Sequence, residues 1–314
     1  MSVSLPRPAG AIVRRTQRPV RAVVRRARAL AAGGDLLGTA AGLPVPVYLL
    51  DARTPAAQPT AGALPHRVMV CSVPKAGTYF VGEALRRLGS VPTGLHFSGD
   101  GRMLMDARFA TREEARNEFG RLCHVVPPER VLPLVRPGQH ALSHLECTPR
   151  VRALLTGFKV VFVYRDLRDA FVSWMRFHRD TGREARWNHI WPAHPDPRGQ
   201  LVAFLREAGG LFGAVCRAML PWLADPAAFR VRFETLHGDD GPEAQERLCV
   251  ALAAFLGHAA PPAAPAAVLP GLTAAQTLTS SGARTRREGF WSDAAEDLFR
   301  AFGGAELNAA LGYR

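Results

Sequence analysis

The chain has 314 residues, of which 47% are hydrophobic and 21% are charged; this composition is typical of an ordinary soluble globular protein with one large domain or two small ones. No run of about 18 apolar residues predicts a transmembrane helix, and the five cysteines are scattered without a CxxC pair, which indicates reduced thiols in a cytosolic setting rather than a disulfide framework or a zinc site. The formal net charge of +13 suits an anionic ligand.

Residues 1–64 are predicted to be a basic extension that precedes a folded domain at residues 65–314. Residues 1–30 contain eight arginines and no acidic residue. A helix through this segment would carry arginines on one face and apolar residues on another, namely Arg18, Arg21, Arg25 and Arg28 against Val20, Val24, Ala27 and Ala31. Three interpretations stay open: a solvated extension, a surface for an anionic membrane or an acidic substrate, and a nucleic-acid contact, which is the least favoured. We expect a cytoplasmic protein, with peripheral contact at the membrane surface as the second alternative.

The folded domain begins with a strand, a tight turn and a helix. Residues 67–73 form a continuous apolar run of strand length, residues 74–77 form the turn, and residues 79–88 have helical apolar spacing that ends at Gly89. Strands at 158–164 and 229–233 and helices at 170–178 and 243–256 repeat the arrangement. This alternation predicts an α/β fold, a parallel β-sheet flanked by helices, whose ligands bind outside the carboxyl ends of the strands.

The turn at residues 74–77 has the features of an anion-binding site. Lys75 is one of only two lysines among the 40 Lys and Arg residues, and it precedes Gly77, which allows a ligand to approach the backbone closely. Thr78 can cap the helix, whose N-terminus favours an anion. Lys75, a compact and flexible point charge, is a predicted catalytic residue that would neutralise the charge developing on a leaving oxygen. The loop is not a Walker A motif, because GxxxxGK[ST] is absent and Lys75 precedes the glycine. The sequence offers no clear acidic partner for Mg²⁺, which disfavours a kinase.

The segment Val73-Pro-Lys-Ala-Gly-Thr-Tyr-Phe80 resembles the 5′-phosphosulfate-binding loop, PKSGTTW, of the sulfotransferases that use 3′-phosphoadenosine 5′-phosphosulfate (PAPS). The resemblance implies a P-loop-like nucleotide-binding core in which the loop contacts PAPS through Lys75, Ala76, Gly77, Thr78, Tyr79 and Phe80. It implies that Phe80 keeps the aromatic that packs on the adenine. It also implies that the Tyr79 phenol does what a small hydroxyl at that position would do for the phosphosulfate.

Three further segments extend the resemblance. Tyr164-Arg-Asp-Leu-Arg-Asp-Ala-Phe-Val-Ser173 is similar to the family's 3′-phosphate-binding segment, YRNPRDVxVS, which implies that Arg165 and Ser173 bind that phosphate. Independently of the family, Arg165 leaves a strand end where its fork can take a phosphate or, alternatively, form an ion pair with Asp166 or Asp169.

Arg284-Thr-Arg-Arg-Glu-Gly-Phe-Trp291 resembles the RKGxxGxW element that closes over the 3′-phosphate. This resemblance implies contacts from Gly289 and from the arginines of the segment, and it leaves open which of Arg284, Arg286 and Arg287 binds the 3′-phosphate. The segment Phe233-Glu-Thr-Leu236 resembles the YEDL segment, which makes Phe233 a second neighbour of the adenine or, alternatively, a plain core residue.

A transferase of this kind needs a base that removes the acceptor's proton, and histidine is the usual choice. His144 lies 21 residues before Arg165, where the family carries its catalytic histidine in a KTHLP-like segment; Leu142 stands in place of the lysine of that segment. His144 is therefore the predicted base, with His140 and then His96 in reserve. A weaker alternative takes His140 and His144 as a metal pair on one helical face. No metal is expected.

The resemblance implies a PAPS-dependent sulfotransferase that acts on a hydroxyl or amine of a small molecule, glycan or lipid, such as a glycolipid or a natural product of bacterial-type secondary metabolism. Five aromatic residues are candidate walls of the acceptor pocket, namely Trp174, Phe177, Trp187, Trp191 and Trp222. The alternatives are a P-loop-like small-molecule kinase that uses Mg²⁺ and ATP, and a non-catalytic nucleotide-binding module that docks through its basic arm.

Overall fold

The structure is a computed structural model that describes residues 64–273, apart from 109, 112, 115–121 and 183–184, and residues 286–314. It also describes two short strands, β1 (Asp35–Leu37) and β2 (Tyr48–Leu50), which pair antiparallel. The chain divides into one unit at residues 1–58 and another at 59–314. The predicted boundary after residue 64 stays a prediction, and the predicted basic helix lies outside the described residues.

A seven-stranded sheet forms the centre of the larger unit, in the order β6-β5-β4-β7-β3-β8-β9. The five strands from β4 to β9 in that order are parallel, whereas β5 and β6 are antiparallel additions at one edge. The strands are β3 (Arg67–Ser72), β4 (Val91–Gly99), β5 (Met103–Asp106), β6 (Cys123–Val125), β7 (Gln139–Leu145), β8 (Phe158–Tyr164) and β9 (Ala228–Arg232). The predicted α/β class is confirmed, although the sheet is mixed rather than wholly parallel.

Helices flank this sheet. They are α1 (Thr78–Arg87), α2 (Pro128–Val131), α3 (Pro149–Leu154), α4 (Leu167–Thr181), α5 (Ile190–Ala193), α6 (Pro197–Met219), α7 (Phe233–His237), α8 (Pro242–Phe255), α9 (Ala264–Val268), α10 (Asp293–Ala301) and α11 (Gly304–Ala310). Among the described residues, no helix is both long and apolar enough to span a membrane. All five cysteines are free thiols.

β3 and β8 are largely apolar, as is typical of strands in a sheet that helices cover on both faces. In β3, Val68, Met69 and Val70 are completely buried, and in β8 the same is true of Val161 and Phe162. The strand predicted at residues 158–164 coincides with β8, and the strands predicted at 67–73 and 229–233 correspond to β3 and β9. The short turns between these strands and the following helices therefore lie at one edge of the sheet.

The segment that contains His140 and His144 is a strand, β7, and not a helix. The interpretation of these histidines as a metal pair on one helical face is therefore wrong, since four residues of strand separate them by about 13 Å. His140 lies in the core beneath α1, with Nδ1 2.9 Å from the Ser90 hydroxyl. Burial lowers the pKa of His140 from 6.5 to about 4. His140 is thus a satisfied core histidine, although the sequence left it in reserve as a base.

The buried His140 makes stability depend on pH. Its pKa is about 4 in the folded protein and 6.5 when exposed, so the unfolded chain binds the extra proton between these values and stability falls as pH decreases from 6.5 to 4. We expect this one group to remove up to about 3 kcal/mol of unfolding free energy across that window. Urea unfolding between pH 7 and 4 should show a shallower dependence of stability on pH for His140→Gln than for the wild type, whereas Leu211→Ala, at an exposed residue that does not titrate, should leave that dependence unchanged. An equal dependence in both variants would contradict the assignment.

Candidate active site

The residues singled out from sequence meet at the carboxyl edge of the parallel strands. β3 and β8 are neighbours, so the turn after β3 and Arg165 after β8 lie side by side. His144 lies near the end of β7, on the other side of β3, and Phe233 follows the end of β9. The topology thus brings together a cationic turn, an arginine, a histidine and an aromatic side chain that are far apart in the sequence.

The turn after β3 has an unusual backbone. Lys75 has φ 63°, in the left-handed region that costs a residue with a side chain about 1–2 kcal/mol, and Gly77 follows with φ 100°. Helix α1 then begins at Thr78, with no side chain capping it and no acidic residue in its first turn. The first N–H groups of a helix have no acceptor within the helix. An anion is therefore favoured at this N-terminus, shortly after Lys75 in the chain.

The loop's other predicted ligands differ in what their side chains contact. Ala76 is fully buried, main chain included. The Thr78 hydroxyl pairs with the Ser72 hydroxyl through a short hydrogen bond. The phenol of Tyr79 lies 3.3 Å from Nδ1 of His96, on β4. Phe80 is partly exposed and packs edge-on against Phe233, with 5.6 Å between ring centroids.

Phe233 joins the two turns. A Cβ atom at Gly77 would lie 2.5 Å from Cδ2 of Phe233, which no real side chain tolerates. On Phe233 also lies the guanidinium of Arg165, with its carbon 4.6 Å from the ring centroid. The ring is 7% exposed, so it is largely a packing residue between the Lys75 turn and Arg165. Gly77 is required both for its φ and for the space that Phe233 fills.

The sequence offered two interpretations of Arg165, a phosphate contact and an ion pair with a nearby aspartate, and the structure is compatible with both. It forms an ion pair with Asp169 at 3.5 Å, and both side chains are more than nine-tenths buried. Asp169 also accepts a hydrogen bond from the main-chain N–H of Arg287 at 2.9 Å. A guanidinium carries five N–H donors, so this ion pair is compatible with a phosphate contact. Ser173 lies two turns along α4 and is half-buried.

The N-terminus of α4, unlike that of α1, is occupied by a carboxylate of the chain itself. Asp166 accepts hydrogen bonds from the main-chain N–H of Arg168 at 2.9 Å and from Nδ2 of Asn308 at 3.2 Å. An added anion at this N-terminus would therefore meet the charge of Asp166. The better anion position on this side is at Arg165, away from that cap.

The segment near residue 287 docks against the α4 turn. The guanidinium of Arg287 donates to Asp166 at 2.5 Å, so its charge is directed at this carboxylate. Arg286 and Gly289 are exposed, and Arg284 lies outside the described residues. The structure thus brings Arg287 to the predicted 3′-phosphate segment, but as a partner of Asp166 rather than as an open cation.

His144 has one nitrogen committed to the backbone. Its Nδ1 lies 2.7 Å from the carbonyl oxygen of Ser72. A carbonyl can only accept, so Nδ1 carries the hydrogen and Nε2 is the basic nitrogen. Burial and the charge of Lys75 lower the pKa of His144 to about 4, although the Ser72 bond opposes the shift. The imidazole of His144 is therefore neutral near pH 7 and has a fixed tautomer. Its orienting partner, Ser72, was not predicted.

His96 lies beside His144, with 4.8 Å between the ring centroids. It is 9% exposed, and burial followed by the nearby His144 lowers its pKa well below the usual value. The third candidate base is thus adjacent to the first, whereas His140 is buried beneath α1. The sequence could not show this adjacency, because β4 was not predicted.

The aromatic candidates for an acceptor pocket separate into core and site residues. Trp187 and Trp222 are almost fully buried, and Trp222 donates its Nε1–H to the carbonyl of Leu145. Trp174 packs on Trp187, with 5.4 Å between ring centroids. Phe177 differs, since the Lys75 ammonium lies 4.3 Å from its ring centroid. Phe177 is therefore the aromatic candidate that the structure joins to the predicted catalytic residues.

The described part of the chain contains no group of three or more His, Cys, Asp and Glu residues that could hold a metal ion. A family model described as "Sulfotransferase domain" matches residues 65–263. Among solved structures, the crystal structure of mouse sulfotransferase SULT7A1 complexed with PAP matches with a TM-score of 0.47 and 14% sequence identity, over 81% of this chain and 90% of that chain. A search of curated protein sequences found no significant match.

The left-handed backbone of Lys75 predicts a difference between two substitutions. Both Lys75→Ala and Lys75→Gly remove the ammonium group, but only glycine adopts φ 63° without strain. We expect Lys75→Gly to unfold at a higher urea concentration than Lys75→Ala, because its unfolding free energy should be larger by about 1 kcal/mol. Lys159→Gly against Lys159→Ala, within strand β8, should show the opposite order. Equal stabilities for the two Lys75 variants would contradict the strain.

Proposed function

Because the chain belongs to the sulfotransferase domain family, we propose that it transfers a sulfuryl group from PAPS to a hydroxyl or amine of a small-molecule, glycan or lipid acceptor and releases 3′-phosphoadenosine 5′-phosphate (PAP). The family itself was expected from the three sequence motifs, and the family match confirms that expectation. The observation that carries the nucleotide assignment is the contact of Phe233 with both Gly77 and Arg165. It holds two cationic turns on adjacent strands, as a ligand with two anionic groups requires.

The residues fit PAPS at both ends. The N-terminus of α1 has no acid in its first turn, and Lys75 and Gly77 lie in left-handed backbone beside it, which supports this turn as the phosphosulfate site. Arg165 and Ser173 would hold the 3′-phosphate, and the partly exposed Phe80 would pack on the adenine. Phe233 would support Phe80 from behind, since its own ring is nearly buried.

PAPS supplies an activated sulfuryl group, and the chain's residues supply the proton acceptor and the charge. Nε2 of His144 takes the proton of the acceptor's O–H or N–H as that oxygen or nitrogen bonds to sulfur. The bond from sulfur to the bridging phosphate oxygen breaks, and the electron pair leaves with PAP. The Lys75 ammonium would stabilise the charge that grows on this leaving oxygen. The Nδ1–H of His144, held by Ser72, supports the imidazolium that forms.

The nucleotide site is tested by calorimetric titration of the full chain with PAP, without metal, beside ATP with Mg²⁺. We expect metal-independent binding of PAP that Arg165→Ala abolishes and Arg165→Lys reduces, because lysine keeps the charge but loses the fork. Exposed Arg198→Ala is the control and should bind PAP normally. Thermal melting must first show that the Arg165 variants fold.

Preference for ATP with Mg²⁺ would overturn the proposal in favour of a small-molecule kinase. A second outcome would favour a non-catalytic docking module. In that outcome the protein binds PAP but transfers no label from ³⁵S-PAPS to a panel of hydroxylated glycolipids, phenols and amines, and the His144→Gln variant behaves identically. Transfer that requires His144 supports the enzyme.

The charge of Lys75 should affect the pKa of His144 even when no acceptor is bound. Burial first, and then this ammonium, lower the pKa of His144 to about 4, so removing the positive charge in Lys75→Ala should raise that pKa toward its usual value. Histidine-selective ¹⁵N NMR titration measures it directly. Lys159→Ala is a matched control, since Lys159 is the other lysine and its ammonium lies over Phe255, 4.7 Å from the ring centroid. An unchanged pKa in Lys75→Ala would mean that the ammonium does not act on the base.

A further inference from the structure

Tyr79 belongs to the nucleotide loop by sequence, but its side chain leaves the loop. It occupies the first turn of α1, two residues beyond Gly77. Its phenol oxygen lies 3.3 Å from Nδ1 of His96, and the two rings are tilted at 52° with centroids 5.8 Å apart. The residue therefore connects the nucleotide turn with β4, on the side of the sheet where His144 lies.

His96 lies on β4, between two neighbouring strands of the sheet. In the sheet, it pairs with Leu142 of β7 on one side and with Met105 of β5 on the other. Paired residues of adjacent strands point to the same face, and so do residues two apart on one strand. His96, Leu142 and His144 therefore share one face. Leu142 stands where the family motif has lysine. The polar residues that β4 places on this face are His96 and Ser98, which pairs with His144.

The two imidazoles are in contact and differ in their anchors. The ring centroids of His96 and His144 are 4.8 Å apart. His144 is anchored through Nδ1 to the Ser72 carbonyl on β3, whereas His96 is anchored through Nδ1 to the phenol of Tyr79 on α1. Each ring thus has one nitrogen fixed by a different element. Rotation of His96 would open space beside His144 and release one side of its ring.

We infer that Tyr79 and His96 are positioning residues for the base: the Tyr79 hydroxyl fixes the ring of His96, and that ring holds the imidazole of His144 in place. The phenol of Tyr79 then acts on the acceptor side of the site and not on the phosphosulfate. This inference rests on the proposed role of His144 as the base. It differs from the sequence-based predictions, in which Tyr79 is a ligand of the phosphosulfate and His96 is an alternative base.

The electrostatics agree with a support that does not take the proton itself. The groups that surround the His96 ring include the phenol of Tyr79 and the imidazole of His144, and Lys75 acts on His144 from the turn. Burial holds the pKa of His96 well below its usual value. The acceptor's proton therefore stays on Nε2 of His144, and His96 remains neutral beside the imidazolium.

The test removes one oxygen atom. In Tyr79→Phe, the ring shape is kept and the partner of His96 Nδ1 is lost. Full-length protein with ¹⁵N-labelled histidine is titrated by NMR, and the ring signals of His96 and His144 are assigned from His96→Gln and His144→Gln. PAP affinity is measured by calorimetry, with Arg165→Ala as the variant that disrupts the nucleotide side.

We expect Tyr79→Phe to shift the ring nitrogen signals of both His96 and His144 and to leave those of His66 and His258 unchanged. The dissociation constant of PAP should stay within about twofold of the wild-type value, a difference in binding free energy of well under 1.4 kcal/mol. His96→Gln should likewise move the His144 signals. In contrast, Arg165→Ala should weaken PAP binding without moving the His96 signals.

Two results would overturn the inference. One is a Tyr79→Phe variant that binds PAP about tenfold more weakly with unchanged His96 and His144 signals, since the phenol would then be a nucleotide ligand. The other is unchanged signals in both histidines with normal PAP binding, since the contact would then have no effect on the base. Failure of the wild-type chain to bind PAP is a separate result, because the histidine signals are recorded without nucleotide, and it would overturn the proposed function instead.

Discussion

The packing of Phe233 against the main chain of Gly77 is the contact on which the geometry of the site depends. The ring fills the volume that a side chain at Gly77 would need, and the guanidinium of Arg165 lies against the same ring. A cation over an aromatic face contributes about 0.5–2 kcal/mol, and more as water is excluded. The larger consequence is positional, since one rigid ring sets the separation of the two turns. A ligand with anionic groups at both ends needs this separation to be fixed before it binds.

The second constraint is a network of carboxylates behind Arg165. Asp169 faces Arg165 and the main chain of Arg287, and Glu234 accepts from the main-chain N–H of Asp166 and from the hydroxyl of Tyr313. The C-terminal segment therefore fixes the turn that follows β8. A buried arginine needs a compensating charge when no phosphate is present. Asp169 supplies it, which explains why the ion pair and the proposed phosphate contact occur together.

The sequence predicted the parts of the fold whose pattern is local. β8 is a continuous apolar run between a glycine and an arginine, and it was predicted residue for residue. β7 was not predicted, because Gln139, His140, Ser143 and His144 make it look polar although helices bury it. Its register with β3, which brings His144 to Ser72, is a long-range property of the sheet. Pairing across the sheet is invisible to a pattern of single residues.

Tyr79 shows the same limit within a motif. Its position in the loop was predicted from the family pattern, and with it a role toward the nucleotide. The longer side chain reaches His96, which is 17 residues away on β4. A motif assigns a role to a position, but the length of the side chain decides which partner it meets. Lys75 is a different case, because its role was predicted from its charge and flexibility, whereas the strain of its left-handed backbone could not be read from the sequence.

Under the proposed function, the charge of Lys75 has opposite effects on the leaving oxygen and on His144. Its charge favours the leaving oxygen, but it also disfavours protonation of His144, whose pKa of about 4 would make a weak base at neutral pH. An anion bound between Lys75 and the N-terminus of α1 offsets that charge and raises the pKa of His144. The base therefore becomes stronger when the sulfuryl donor is in place. Without the donor, His144 stays neutral and its Nδ1–H remains on Ser72, so the site is ready for the proton before the acceptor arrives.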